Sequence, residues 1–286
     1  MYLDLHIHSH FSDGESSLEN IVNEVIKNKC TLFAITDHNF LPNTKKIKET
    51  VVKNNIQCID GIEISTLYHA SSAKLALHIL GYSRELNRNV LSRGLQQTID
   101  GYNCRAIAII NKINKMLPGI MLDFQSIQNS GYEPYVSRNT LARLVVRHLN
   151  NTLSIKDVLR QYVFLDKENS NWMMSPKESF ELIARANGIP VLAHSGKELQ
   201  MLGYVAYEKM LVGFVNEGLL GLEVYSPKHS QEEIKILRNF AKKFGLYITG
   251  GNDWHGRIYT PEIKIGLNVP TEDIASFLVD KRVSIL

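Results

Sequence analysis

Cysteine is scarce in this chain of 286 residues: Cys30, Cys58 and Cys104 stand far apart, and none belongs to a CxxC pair. An odd, scattered set of thiols gives no disulfide framework, so folding has to rest on a hydrophobic core and the thiols are expected to be reduced. Long apolar runs are also missing, and nothing approaches the roughly 18 to 20 residues needed to span a bilayer. No charged segment followed by an apolar one precedes His6, so no secretory signal is expected. The expectation is a cytoplasmic protein whose chain starts where its fold starts. Charge of one sign is scarce as well, since the net charge of +3 is too small by itself to argue for a polyanionic partner. There is no internal repeat and no low-complexity segment. What remains is an ordinary globular composition, 44% hydrophobic and 21% charged, at a length that suits one α/β barrel or a core domain carrying an insertion.

Segment 2 to 8, YLDLHIH, alternates as a strand does, and Leu18, Ile21, Val22, Val25 and Ile26 then follow helical spacing, which makes a βα unit. LFAIT at 32 to 36, GIEIS at 61 to 65 and LALHILGY at 75 to 82 read as further strands. Between about 89 and 174 the strand signal fades into long helical stretches at 90 to 116 and 138 to 149. That third carries ten Lys and Arg against six Asp and Glu, +4, and leaves about −1 for the remainder. It reads as an inserted helical subdomain on whose side an anionic ligand is favoured. Ser175-Pro176-Lys177-Glu178 forms a capping box with proline at the first helical position, predicting a helix over 176 to 187. IPVLAH (189 to 194), GLEVY (221 to 225), a helix near 230 to 243, LYITGG (246 to 251) and a helix near 271 to 281 follow. Repeated βα units predict a (β/α) barrel, distorted or short of eight strands, built from 1 to 88 and 175 to 286 around the insertion 89 to 174.

Six histidines and three carboxylates lie at or just beyond the apolar runs, in the order His6-x-His8, Asp13, His38, Glu63, His78, His194, Asp253-x-His255. The period of two places both rings of His6-x-His8 on one face of their strand. Imidazole and carboxylate hold divalent metals, and nine such residues exceed what one ion uses, so the pattern points to a polynuclear centre. Adjacent cations polarise phosphoryl oxygens, ionise water and steady a leaving oxygen, which makes phosphate-ester hydrolysis the leading expectation.

These residues in this order resemble the PHP family, named for its polymerase and histidinol phosphatase members. The likeness covers roughly 1 to 88 and 176 to 286 and includes all nine positions. It implies a distorted (β/α)7 barrel and three divalent ions, manganese, iron or zinc. One ion would be held by His6, His8, Glu63 and Asp253, a second by Glu63, His78 and His194, and the third by Asp13, His38 and His255. HILGY at 78 to 82, the helical insertion and EVYSPKH at 223 to 229 resemble the small phosphoesterase branch. Members of that branch act on nucleoside bisphosphates or short RNA, and the insertion caps the active site. Where many members read GRPHIA, this chain has SRNTLA at 137 to 142, keeping Arg138 and replacing Pro-His by Asn139-Thr140.

Arg138, Lys197 and His229 are the expected phosphate contacts, with Arg138 offering a bidentate fork and either His229 or a metal-bound water giving a proton to the leaving group. Asp37 is either an orienter of a ligand or a turn residue, and Tyr82 and Tyr225 either core residues or platforms for a base. His10, His69 and His148 match no position and are read as surface or packing residues. The expected substrate is a small phosphorylated molecule, a nucleoside 3′,5′-bisphosphate, a mononucleotide or the end of a short oligoribonucleotide, with no membrane and no obligate protein partner. The alternatives are a histidinol-phosphate phosphatase and, from another class, a non-catalytic metal- or nucleic-acid-binding module.

Overall fold

β1 (Tyr2–Ile7) shows how the barrel is built: its residues from Leu3 to Ile7 are buried on both faces, as a strand must be when one face meets the barrel interior and the other a layer of helices. The computed structural model describes residues 1–70, 74–130, 134–165, 170–257 and 262–284. β1 is joined by β2 (Leu32–Ile35), β3 (Gln57–His69), β4 (Lys74–Ser83), β5 (Ile189–Leu192), β6 (Gly221–Tyr225), β7 (Tyr247–Gly250) and β8 (Leu267–Asn268) in one sheet of order β7-β6-β5-β4-β3-β2-β1-β8. Neighbours run parallel except at β3–β4, β4–β5 and β1–β8. The segment after β7 then meets β1. Ile7 bridges Trp254, His8 N donates to Trp254 O at 2.8 Å and Trp254 N donates to His6 O at 3.1 Å. The sheet thus curls into a nearly closed barrel of seven main strands with β8 as a two-residue edge, and the expected distorted (β/α)7 barrel is what forms.

The helices are α1 (Leu18–Lys27), α2 (Lys45–Val51), α3 (Arg88–Met116), α4 (Phe124–Asn129), α5 (Arg138–His148), α6 (Ile155–Val158), α7 (Pro176–Arg185), α8 (Gly196–Leu202), α9 (Tyr204–Glu217), α10 (Gln231–Phe244) and α11 (Thr271–Leu278). The capping box is present at α7: Ser175 N donates to Glu178 Oε2 at 2.7 Å, and Glu178 N donates back to Ser175 Oγ at 3.3 Å. A second one, Ser230 with Glu233, starts α10. The pair α8 and α9 was not foreseen. α9 buries Tyr207, Met210, Leu211 and Phe214, spaced three and four apart, but leaves Val205 and Val212 exposed, which blurs the apolar stripe that marks an amphipathic helix.

α3 to α6 share a core of their own, in which Ile109, Ile110 and Ile113 of α3 meet Leu141, Ala142 and Val145 of α5 and Val158 of α6. The ring of Trp172 stands edge-on to Tyr102 of α3 at 4.8 Å. Two residues on, Met174 O accepts from Leu67 N of β3 at 2.9 Å, and α7 returns the chain to the barrel.

Candidate metal centre

Each of the nine residues singled out above stands in or after one of the strands, and the barrel brings them to one mouth. His6 and His8 share a face of β1 and its extension, fully buried, while Ile7 turns into an apolar cluster with Phe33, Ile35 and Trp254. Glu63 lies within β3 and His78 within β4. His38, His194, Asp253 and His255 follow the ends of β2, β5 and β7. His194, at φ 24°, and Asp253, at φ 50°, are in the left-handed region, which is costly for residues other than glycine and persists where surrounding structure imposes it. Trp254, locked to β1 on both sides, imposes it on Asp253.

Glu63 is the hub. Its Oε1 stands 2.9 Å from His78 Nδ1, 3.3 Å from His6 Nε2 and 3.4 Å from His194 Nε2, and its Oε2 stands 3.1 Å from both His8 Nε2 and His38 Nδ1. Asp253 Oδ1 lies 3.3 Å from His6 Nε2 and 3.1 Å from His8 Nε2. Asp13 Oδ1 meets His255 Nε2 at 3.1 Å, and its Oδ2 lies 3.7 Å from His38 Nε2. Among the described residues, three sets of donor atoms are close enough to share an ion: His6, His8, Glu63 and Asp253; His8, Asp13, His38 and His255; and His38, Glu63 and His78. The first is the set expected for one ion, and the second adds His8 to that expected for another. In the third, His38 stands where His194 was expected, while His194 faces Glu63 from the rim.

Both oxygens of Glu63, His38 Nδ1 and His78 Nδ1 are buried without a hydrogen-bond partner. Such atoms cost about 1–3 kcal/mol each when nothing answers them. All four point at neighbours also aimed inward, and His6 Nε2 and His8 Nε2 face one another at 3.1 Å. Oxygen and imidazole nitrogen converging on shared points are the donor set of a divalent cation, so these residues fit bound metal.

Protonation follows from the same crowding. Burial opposes ionisation of Asp13, Glu63 and Asp253, yet the imidazoles around them hold all three carboxyls well below the usual range. Burial also opposes a charged His6 or His8. Glu63 and its fellow carboxylates outweigh it, and lift His6 well above the ordinary imidazole value and His8 to about 10. At His38 burial wins and lowers the ring to about 3. The metal-free centre near neutral pH thus holds protons on His6 and His8 that an ion must displace. Adding Mn²⁺ to metal-free protein in weakly buffered solution is expected to acidify it, and apparent affinity is expected to rise with pH until His8 deprotonates near about 10. A pH-independent uptake with no proton release, read by titration calorimetry in buffers of different ionisation enthalpy, would contradict this protonation pattern. The raised His8 also stabilises the metal-free fold in full below the ordinary imidazole value, a contribution lost as pH climbs through about 10.

Residues 4–143 match the PHP domain family. That stretch resembles a PHP domain. It is 27% identical over 259 residues to a 3′,5′-nucleoside bisphosphate phosphatase of Chromobacterium violaceum, covering 88% of this chain and 87% of that one. It is 25% identical over 258 residues to the 5′-3′ exoribonuclease Rnm of Escherichia coli, covering 88% and 84%. Among solved structures, a metal-dependent phosphoesterase described from Bifidobacterium adolescentis superposes with a TM-score of 0.78 over 98% of this chain and 97% of that one, at 22% identity, a likeness of fold.

Around the centre lies a layer of residues that hold the donors in place. Glu223 is fully buried in β6, accepting from His6 Nδ1 at 2.9 Å and from His194 N at 2.7 Å. It was passed over in the sequence, where its signal was an acid in the middle of the apolar strand GLEVY. Asp37 takes the orienting alternative at one remove: it accepts from Ser9 N and Ser12 Oγ, each at 2.7 Å, and Ser12 Oγ reaches His8 Nδ1 at 3.4 Å. Asp4 accepts from His6 N, Asn252 N, Asn252 Nδ2 and Gly266 N, tying the residue before Asp253 to β1. Gly251 has no room for a side chain, since a Cβ there would sit 2.6 Å from His6 N.

Arg138 opens α5 half-buried, its guanidinium 5.0 Å above the Phe164 ring. Next to it Asn139 Nδ2 donates to Asp13 Oδ2 at 3.0 Å. Lys197 is exposed at the start of α8. His229 is buried, with Nδ1 on Val224 O at 2.9 Å and Nε2 accepting from Gly196 N at 3.1 Å, so the backbone occupies both ring nitrogens. Lys228 beside it, which the sequence did not single out, bonds through its ammonium to Asp253 Oδ2. Tyr82 is buried with its hydroxyl donating to Leu5 O, and Tyr225 bonds to Asp273, so both serve packing. His69 and His148 are exposed, and His10 lies half-buried with Nδ1 3.2 Å from Ser16 O.

Proposed function

We propose that this protein hydrolyses phosphate esters of nucleotides at a centre of three divalent ions, manganese, iron or zinc, held by the nine residues named above. The observation that carries the reading is Glu63, a buried carboxylate facing five imidazoles with neither oxygen hydrogen-bonded. Divalent ions supply Lewis acidity toward phosphoryl oxygens and lower the pKa of the attacking water. The chain's own part is to fix the donors. Glu63 spans the groups, Glu223 sets the ring of His6, and Asp13 with His255 and His38 closes the outer side.

The substrate class rests on the relatives, a nucleoside bisphosphate phosphatase and an exoribonuclease, and on the insertion 89 to 174, which we read as a cap. Three contacts support the cap. Asn139 bonds to Asp13, Arg143 Nη1 donates to Asp13 O and Gly14 O at 3.2 and 3.3 Å, and the Tyr135 hydroxyl lies 3.4 Å from His38 O. Between cap and barrel, beside the centre rather than in it, lies a cleft of about 900 Å³ whose walls include His10, Gly14, Tyr135, Arg143 and Arg147 but none of the nine donors. Arg138 and Lys197 are the phosphate contacts of this reading. His229, with both nitrogens engaged, becomes a positioning residue that ties the loop after β6 to the start of α8 rather than a proton donor.

The deciding assay is phosphate release by the manganese-loaded protein from adenosine 3′,5′-bisphosphate, AMP, a short oligoribonucleotide and histidinol phosphate side by side. Faster turnover of the nucleotides is expected. A preference for histidinol phosphate would overturn the substrate class, and silence on all four with metal bound would turn the reading to a binding module.

A further inference from the structure

Lys228 stands on the rim after β6, and no step above uses it. Its backbone is held firmly: Lys228 N donates to Ser226 Oγ at 3.3 Å, His229 N donates to Ser226 O at 3.0 Å, and the His229 ring is pinned between Val224 O and Gly196 N. Its side chain is 52% exposed, yet the ammonium reaches past the rim to Asp253 Oδ2. The carboxylate of Asp253 is thereby divided. Oδ1 faces the Nε2 atoms of His6 and His8, while Oδ2 carries Lys228, with His194 Nε2 3.9 Å away. An ion taken by Oδ1 leaves Oδ2 to the lysine, so the two cations have separate places on one carboxylate.

We propose that Lys228 is a substrate-contacting residue that donates to a non-bridging oxygen of the phosphate bound in this centre. The inference rests on the phosphoesterase reading. Asp253 occupies one of the three ammonium donors, and the other two remain for a ligand. Asp253 does not depend on the lysine for its place, since it is fixed by Trp254 and has four imidazoles within 4 Å of its carboxylate. What Lys228 adds is a cation at the mouth on the side of Asp253 turned away from His6 and His8. A phosphate held by ions at these donors would have an outer oxygen to offer that cation. A charge-assisted bond at that point acts on the phosphate itself.

The test compares the metal-loaded wild-type protein with Lys228→Met and Lys228→Arg, measuring the affinity for inorganic phosphate by calorimetry and, separately, that of metal-free protein for Mn²⁺. Lys228→Met is expected to weaken phosphate binding roughly 10- to 100-fold with Mn²⁺ affinity unchanged, and Lys228→Arg to recover most of it. Equal phosphate affinity in Lys228→Met overturns the inference. So does a fall in Mn²⁺ affinity in step with phosphate, since Lys228 would then act only through Asp253. Wild-type loaded protein that binds no phosphate overturns both this inference and the phosphoesterase reading. Lys228-dependent phosphate binding without turnover of any ester upholds the contact and overturns the phosphoesterase reading alone.

Discussion

Replacing Glu63 by glutamine is expected to abolish turnover, by at least about 1,000-fold or about 4 kcal/mol of transition-state stabilisation, while the far-ultraviolet circular dichroism keeps the wild-type shape. The side chain keeps its size, so packing against β4 is preserved. What changes is charge and donor type. The two carboxylate oxygens face five imidazole nitrogens between 2.9 and 3.4 Å away, and an amide nitrogen in place of either oxygen puts a donor where an ion needs a lone pair. The metal content of the variant after Mn²⁺ loading and desalting is expected to fall below that of the wild type. A Glu63→Gln protein with full metal content and full activity would sink the assignment of Glu63 as the bridge, and with it the shared centre.

The centre was legible because its geometry comes from strand periodicity, and that is a property of sequence. His6 and His8 must share a face of β1 once the segment is a strand, and each later donor falls where an apolar run meets a polar neighbour. The grouping of donors was less legible. Whether His38 or His194 closes on Glu63 and His78 depends on the direction of side chains leaving different strands, and no spacing within a segment encodes that. The orientation of β4 was written in the chain but not used: β3 ends at His69 and β4 starts at Lys74, a connection far too short for a parallel crossover. α9 escaped because exposed Val205 and Val212 mask its stripe. His229 was credited with chemistry on the strength of its place in a phrase, whereas its ring serves two backbone groups. The layer behind the donors was the hardest to see, because Glu223 gains its meaning only when β6 is laid beside the ends of β5 and β1.

The substitution Glu223→Gln, which alters one atom in a residue that faces no ion itself, is expected to weaken Mn²⁺ binding about 100-fold, the upper end of what residues behind metal ligands usually contribute. The carboxylate accepts twice, from His6 Nδ1 and from His194 N. Accepting the Nδ1 proton leaves His6 Nε2 as a lone pair aimed at Glu63 and Asp253, the tautomer that metal binding requires. Glutamine has one acceptor and one donor and cannot serve both neighbours. If its oxygen stays with His194 N, its amide nitrogen meets His6 Nδ1, and His6 must move its proton to Nε2, into the place of the ion. If it flips, two donors face each other at His194, whose backbone is already at φ 24°, and a buried N–H goes unanswered at about 1–3 kcal/mol. Either outcome lowers affinity, and the first leaves the fold intact. Competition against a chelator of known strength measures the loss, and nitrogen-15 shifts of the His6 ring separate the two routes. Wild-type Mn²⁺ affinity in Glu223→Gln would mean that His6 does not owe its tautomer to β6.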